Sequence, residues 1–289
     1  MTRPEWLKKS ALTFLALGIA LVVLFPIWWL FSTSLKTPLE FLGGGMSLFP
    51  RQPTLDHYRE VLFERGFLRF FGNTALIAAA ATVISVLAGS LAAYSLSRFR
   101  FPWKLDAVFL IWALVIRTIP PIVFVVPLFI MFRELRLTNV RLILILAYQI
   151  YTLPLAIWML LGFFREIPRE LEEAALTDGA TRIQTLIRIV YPLVTPGLAA
   201  TAIFCVITAW NEFTYALIFA RVPADFTIPI GIATFITEYR TLWGHLAAGG
   251  LLSSLPLLCF TVFVQRHLLR GFALRGVFLF LIISPSVSF

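Results

Sequence analysis

Long uncharged apolar runs alternate along this chain with short clusters of charged residues. No charged residue occurs between Lys9 and Lys36, between Arg69 and Arg98, or between Arg141 and Arg165. A helix crossing about 30 Å of hydrocarbon needs roughly 20 apolar residues. The runs predict six spans, at 11–32, 71–95, 107–132, 142–162, 197–219 and 246–265. Within them the backbone must be helical, because lipid offers no partners for open N–H and C=O groups. The fold class is therefore an all-α membrane protein, a single bundle over 11–275. The second run is rich in Ala, Gly and Ser, which let helices approach closely in lipid. The third is interrupted by Arg117 and then by Pro120 and Pro121.

Two connections are long. Residues 36–69 mix charges with Gly43-Gly44-Gly45, Pro50 and Pro53, and predict an exposed loop with some local helix. Residues 164–195 hold acidic and basic groups and predict helical pieces. There Leu171, Ala174, Ala175 and Asp178 recur at i, i+3, i+4 and i+7, as on one helix face. Gly179 suits a C-terminal stop, where a left-handed residue ends the last turn. A second amphipathic piece carries Ile183, Leu186, Ile187 and Val190, and Pro192 and Pro196 are expected to break it before the fifth span. The result is a short helix, a sharp turn and another helix between spans four and five.

Composition agrees with a membrane chain: 60% of the 289 residues are hydrophobic and 13% charged, against about 45–50% and about 25% in soluble domains. The net charge of +9 is scattered over loop ends, without a basic tract. It suits anionic lipid headgroups and the bilayer as partner, not nucleic acid. With residues 1–10 placed in the cytoplasm, 13 Lys and Arg residues fall inside and 10 outside, a bias of the expected sign. The N-terminus imitates a signal peptide, but its apolar run is long and lacks a small-residue cleavage site, so it reads as a retained first span. Cys205 and Cys259 lie within apolar runs and read as small hydrophobes. His57, His245 and His267 are dispersed, without metal-ligand spacing. No nucleophile–base set stands out, so neither a catalytic nor a metal site is expected.

Residues 172–197 also carry a resemblance. Glu173-Ala174-Ala175, Asp178-Gly179-Ala180, Ile189 and Pro192 match, at the family spacing, the EAA loop of the permease subunits of binding-protein-dependent ABC importers. Tyr191 stands where that pattern has Leu. Phe163 to Pro168, Ala209-Trp210-Asn211-Glu212-Phe213, and the stretch from Trp243-Gly244 to Gln265-Arg266 with Pro256 resemble the carbohydrate-uptake, maltose-type subclass. The resemblance implies an inner (plasma) membrane location with both termini cytoplasmic. It implies a second permease subunit, as a heterodimer, two cytoplasmic ATPase subunits and an extracytoplasmic solute-binding protein. It further implies a cytoplasmic EAA-type coupling helix that carries ATPase closure to a midplane gate. Glu172, Glu173, Ala174, Ala175, Asp178, Gly179 and Ala180 are the coupling candidates. The chain has no G-x-x-x-x-G-K-[ST] sequence, so ATP and Mg belong to the partner ATPases and this chain holds no cofactor.

Other polar residues are candidates for the solute pathway or for contact with the binding protein. Arg117 lies roughly 16 Å beyond Asp106 along a helix, at a depth where charge costs about 2.5 kcal/mol or more. It reads as a pathway or gate group, as one half of a structural pair with a carboxylate, or as the sign of a displaced span boundary. Trp210, Asn211, Glu212 and Tyr215 suit hydrogen bonding and stacking with a sugar; Glu212 alternatively reads as a helix-end carboxylate. Glu238 and Tyr239 fall in a loop expected to face the binding protein, or to be plain solvated loop. The implied solute is a sugar or oligosaccharide, with a polyol or glycerol phosphate as the alternative. A secondary transporter or channel needing no ATPase is the rival function, and it leaves 172–197 without a purpose. The apolar tail, 276–289, departs from the family and is too short to span.

Overall fold

The computed structural model describes residues 5–42 and 47–262. In chain order its helices are α1 (Glu5–Ser34), α2 (Pro38–Leu42), α3 (Asp56–Arg59), α4 (Phe67–Arg98), α5 (Leu105–Thr118), α6 (Pro121–Glu134), α7 (Val140–Arg165), α8 (Glu170–Thr177), α9 (Arg182–Thr185), α10 (Tyr191–Trp210), α11 (Thr214–Phe219), α12 (Ile228–Ala233) and α13 (Trp243–Val262). Among the described residues no strand forms, apart from an isolated bridge between Ile236 and Thr241. Among the described residues five helices are long and apolar enough to cross a membrane: α1 over Leu12–Ser34, α4, α7, a rod over Arg182–Trp210, and α13. The helices on either side of Pro120 make a sixth if taken as one span. The tail at 276–289 and the last residues of the expected sixth span lie outside the described residues.

Two elements differ from expectation, and both involve prolines. The third apolar run is two 14-residue helices, α5 and α6, bent by 100°. Ile119, followed by Pro120, is forced extended at ψ 130°, and Pro120 itself sits at ψ 140°. A residue preceding proline is pushed out of the helical region, so two consecutive prolines hold two residues extended. Conversely, Pro192 and Pro196 do not break the chain before the fifth span. The rod from Arg182 to Trp210 runs through both: Pro196 lies inside α10, and Pro192, at its start, directly follows a π-helical turn at Leu186–Val190. The wider turn gives slack where a proline ring would otherwise strike the preceding turn. The rod ends at Trp210, and α11 starts a separate short helix after it.

The chain divides into two compact units. One comprises the chain up to Leu68 with Gly231–Leu255. In it the apolar side chains of α1 from Leu12 to Ile27 are left uncovered by the rest of the chain. Beyond α1, Lys36 is buried, with its ammonium donating to the Ser47 carbonyl at 2.6 Å and lying 4.5 Å from the Trp29 ring centre. The Glu40 carboxylate accepts from the backbone N–H groups of Arg51 (3.0 Å) and Gln52 (3.3 Å) and organises the loop. Two of the histidines expected to be dispersed meet here. The His57 and His245 ring centres are 4.7 Å apart. His57 Nε2–H donates to the Lys36 carbonyl at 2.8 Å, and His245 Nε2 is 2.6 Å from Glu60. Gly244 makes room for this, since a Cβ there would overlap the His57 ring. Among the described residues no three groups are placed to hold a metal ion, and His267 lies outside them.

The other unit comprises Arg69–Ile230 with the described residues from Pro256 to Val262. Here small residues set helix spacing. A Cβ on Gly89 of α4 would come within 2.8 Å of the Ala156 Cβ on α7, and one on Gly197 of α10 would strike the Phe163 ring of α7. Polar side chains join the same helices: Ser85 donates to the Gln149 Oε1 at 2.6 Å and lies 2.6 Å from the Thr152 hydroxyl. Such bonds are worth about 1 kcal/mol each between helices in lipid. Cys205 is buried beside the Thr152 carbonyl. Tyr191 packs without disruption: its hydroxyl is 2.9 Å from that of Ser90.

Candidate functional site

The site begins where α4 and α7 end. α8 starts four residues beyond α7 and carries Glu170, Glu172 and Glu173 in its first turn. Carboxylates there are favoured by the helix dipole. The helix ends in a Schellman motif. The Ala180 N–H donates to the Ala175 carbonyl (3.0 Å), the Gly179 N–H to that of Leu176 (3.1 Å), and Gly179 takes φ +87°. Only glycine adopts that conformation without strain. Next, Thr181 caps α9 in a reciprocal box with Gln184, at 3.3 and 2.8 Å. This is the T-x-x-Q signature of a helix start, a signal legible in the sequence itself.

The expected single face of α8 is divided. Glu172 and Ala175 are buried, whereas Leu171, Glu173, Ala174, Leu176 and Asp178 are exposed; Ala180 is half-buried. Glu172 points inward at 7% exposure. Its Oε1 accepts from Arg98 Nε at 2.5 Å, and its Oε2 accepts from the Tyr94 hydroxyl at 2.7 Å. The guanidinium also donates from Nη2 to the Ile167 carbonyl at 3.1 Å, and Arg169 Nη2 donates to the Ser97 carbonyl at 3.1 Å. An ion pair so shielded persists only because its remaining polar atoms are satisfied. Beneath it Tyr94, Phe164, Ile167, Leu186 and Val190 form one apolar cluster. An open polar cavity of about 660 Å³ lies alongside, lined by Arg98, Arg165, Arg169 and Glu170 among others. Neither Tyr94 nor Arg98 was a candidate in the sequence, where Arg98 reads only as a span-end charge.

The pathway candidates are placed differently. Arg117 sits exposed in the last turn of α5, and among the described residues no carboxylate lies within ion-pair distance of it. Asn211 uses its side-chain amide on the Ile207 carbonyl at 2.8 Å, closing α10. Glu212 accepts from the N–H groups of Tyr215 (2.9 Å) and Ala216 (3.3 Å), opening α11. Trp210 and Tyr215 are both buried in this conformation. Trp210 packs edge-on against Phe71 at 5.4 Å, and Tyr215 is wholly buried, stacked on Tyr151 at 6.0 Å. The Tyr151 hydroxyl in turn donates to the Ile119 carbonyl (3.2 Å), at the bend between α5 and α6. Glu238 and Tyr239 occupy the tip of a tight turn closed by Thr237 and Arg240, with Tyr239 94% exposed.

Long apolar helices, glycine-mediated packing and a short polar helix between two spans define a polytopic membrane protein. The chain belongs to the binding-protein-dependent transport system inner membrane component family, which matches residues 85–273. It is 36% identical over 274 residues to the sulfoquinovosyl glycerol transport system permease protein of Agrobacterium fabrum, covering 94% of this chain and 95% of that one. It is 35% identical over 280 residues to the trehalose/maltose transport system permease protein of Thermococcus litoralis, covering 95% and 99%. Its fold resembles that of a bacterial ABC transporter involved in import of the acidic polysaccharide alginate. That likeness has a TM-score of 0.75 and 22% identity, over 92% of this chain and 98% of the other. The protein is thus a multi-pass permease subunit of an ABC importer and not an enzyme; ATP hydrolysis belongs to separate subunits.

Proposed function

We propose that this permease, paired with a second and different permease subunit, encloses the pathway for a sugar or oligosaccharide. An extracytoplasmic binding protein delivers the solute, and two cytoplasmic ATPase subunits drive its passage with ATP and Mg. On this reading both termini are cytoplasmic and α8 is the coupling helix. The observation that carries it is the division of α8: Leu171, Glu173, Ala174 and Asp178 stand exposed on a helix whose opposite side is fixed to the bundle. A helix anchored behind and bare in front is suited to dock into a partner. The saccharide assignment is supported by the relatives, whose names specify a sulfoquinovosyl glycerol and trehalose or maltose. The exposed turn at Glu238 and Tyr239 is our candidate for contact with the binding protein.

The test is uptake by proteoliposomes containing the assembled transporter, against a panel of saccharides, polyols and glycerol phosphate. The expected result is saccharide uptake that requires both ATP and the binding protein. Uptake by this chain without an ATPase would contradict the assignment. Selective uptake of glycerol phosphate would contradict the solute class alone.

A further inference from the structure

Glu172 lies within the segment that would dock to the ATPase, yet its carboxylate is buried on Arg98 and Tyr94. We propose that Glu172 is a positioning residue that ties the coupling helix to the end of α4, so that displacement of α8 is passed to that span through Arg98 and Tyr94. This rests on the reading of α8 as the coupling helix.

The geometry supports a tether in three ways. Both carboxylate oxygens are used, one on Arg98 (2.5 Å) and one on Tyr94 (2.7 Å). Those two residues are four apart on α4, so they lie on one face of its last two turns. A second link runs in parallel, since Arg98 also reaches the Ile167 carbonyl and Arg169 reaches the Ser97 carbonyl. Pulling α8 away from α4 therefore requires separating a shielded ion pair and several hydrogen bonds together. On its other side α8 leads into α9 through the glycine turn at Gly179, with φ +87° and open space around it. α4 is 32 residues long and is itself locked to α7 at Gly89 and Ser85. Movement at its end is thus carried into the bundle.

The experiment uses the complete transporter in proteoliposomes and measures solute imported per ATP hydrolysed, together with retention of the ATPase on purification. Glu172→Gln is expected to retain the ATPase and its hydrolysis while import per ATP falls tenfold or more. The charge exchange Glu172→Arg with Arg98→Glu is expected to recover a substantial part of that loss. Tyr94→Phe removes one bond without changing shape, and an expected severalfold loss there keeps the test intact if Glu172→Gln fails to assemble. Unchanged import per ATP in Glu172→Gln or in Tyr94→Phe would overturn the tether. So would release of the ATPase by Glu172→Gln, which would make Glu172 a docking contact. The underlying reading fails separately: Ala174→Trp on the exposed face must weaken ATPase retention if α8 is the docking helix, whatever Glu172 does.

Discussion

Glu172 and Glu212 both stand next to the rod from Arg182 to Trp210, both entered as functional candidates, and the fold uses them in opposite ways. Glu172 reaches 74 residues back along the chain to Arg98 and 78 back to Tyr94. Glu212 bonds three and four residues forward, to the backbone of its own next turn, with the Tyr148 side chain of α7 beside it. The first joins two elements; the second chiefly starts one. A carboxylate bonded across elements ties their positions together, whereas a capping carboxylate fixes mainly the local direction of the chain. Near a membrane both are costly to leave unpaired, so a polar residue there does not by itself mark a solute site.

The sharpest way to break this contrast is to remove each carboxylate. Glu172→Ala leaves Arg98 shielded and unpaired, a change that costs about 3–5 kcal/mol. Thermal unfolding in detergent is expected to shift accordingly; a shift as small as that of an exposed mutation would contradict the buried pair. A smaller effect is expected from Tyr94→Phe, which leaves one carboxylate oxygen unsatisfied at about 1–3 kcal/mol. Glu212→Ala removes a cap and is expected to cost about 1 kcal/mol, with solute imported per ATP close to normal. If that variant is stable but fails to transport, Glu212 belongs to the pathway after all. The smallest effect concerns Glu40, another carboxylate bound to backbone. The Arg51 N–H, with Gln52 and Thr37, holds its carboxyl below the ordinary value of 4.5. Its contribution is therefore present above that value and lost as pH falls through the lower folded one. Protection of the Arg51 amide from hydrogen exchange, corrected for intrinsic rates, should decline only in acid. Stronger protection on acidification would refute the arrangement.

Much of the fold is written in the apolar runs, because lipid leaves a spanning backbone no alternative to the helix. What was not legible depends on partners distant in sequence or on local slack. Arg117 and the proline pair marked a break in the third run, but not a bend of 100°. Pro192 and Pro196 argued for a broken fifth span, whereas the rod runs through both, with a π turn that has no sequence signature directly ahead of Pro192. Periodicity placed Ala174 and Ala175 together, whereas the position of Arg98 decides which of them turns inward. His57 and His245 meet although they are far apart in the chain, and Gly244 is small enough to let the His57 ring in. At the site, the motif marked α8 but not its inner face.

The division of α8 into a bound face and a free face is the centre of the account, and adjacent positions test it. Ala174→Cys and Ala175→Cys are to be compared in the assembled transporter with a short thiol-directed crosslinker. The account predicts that Ala174→Cys links to the ATPase subunit and that Ala175→Cys, turned toward the bundle, does not. The reverse pattern, or equal linkage from both, would contradict it.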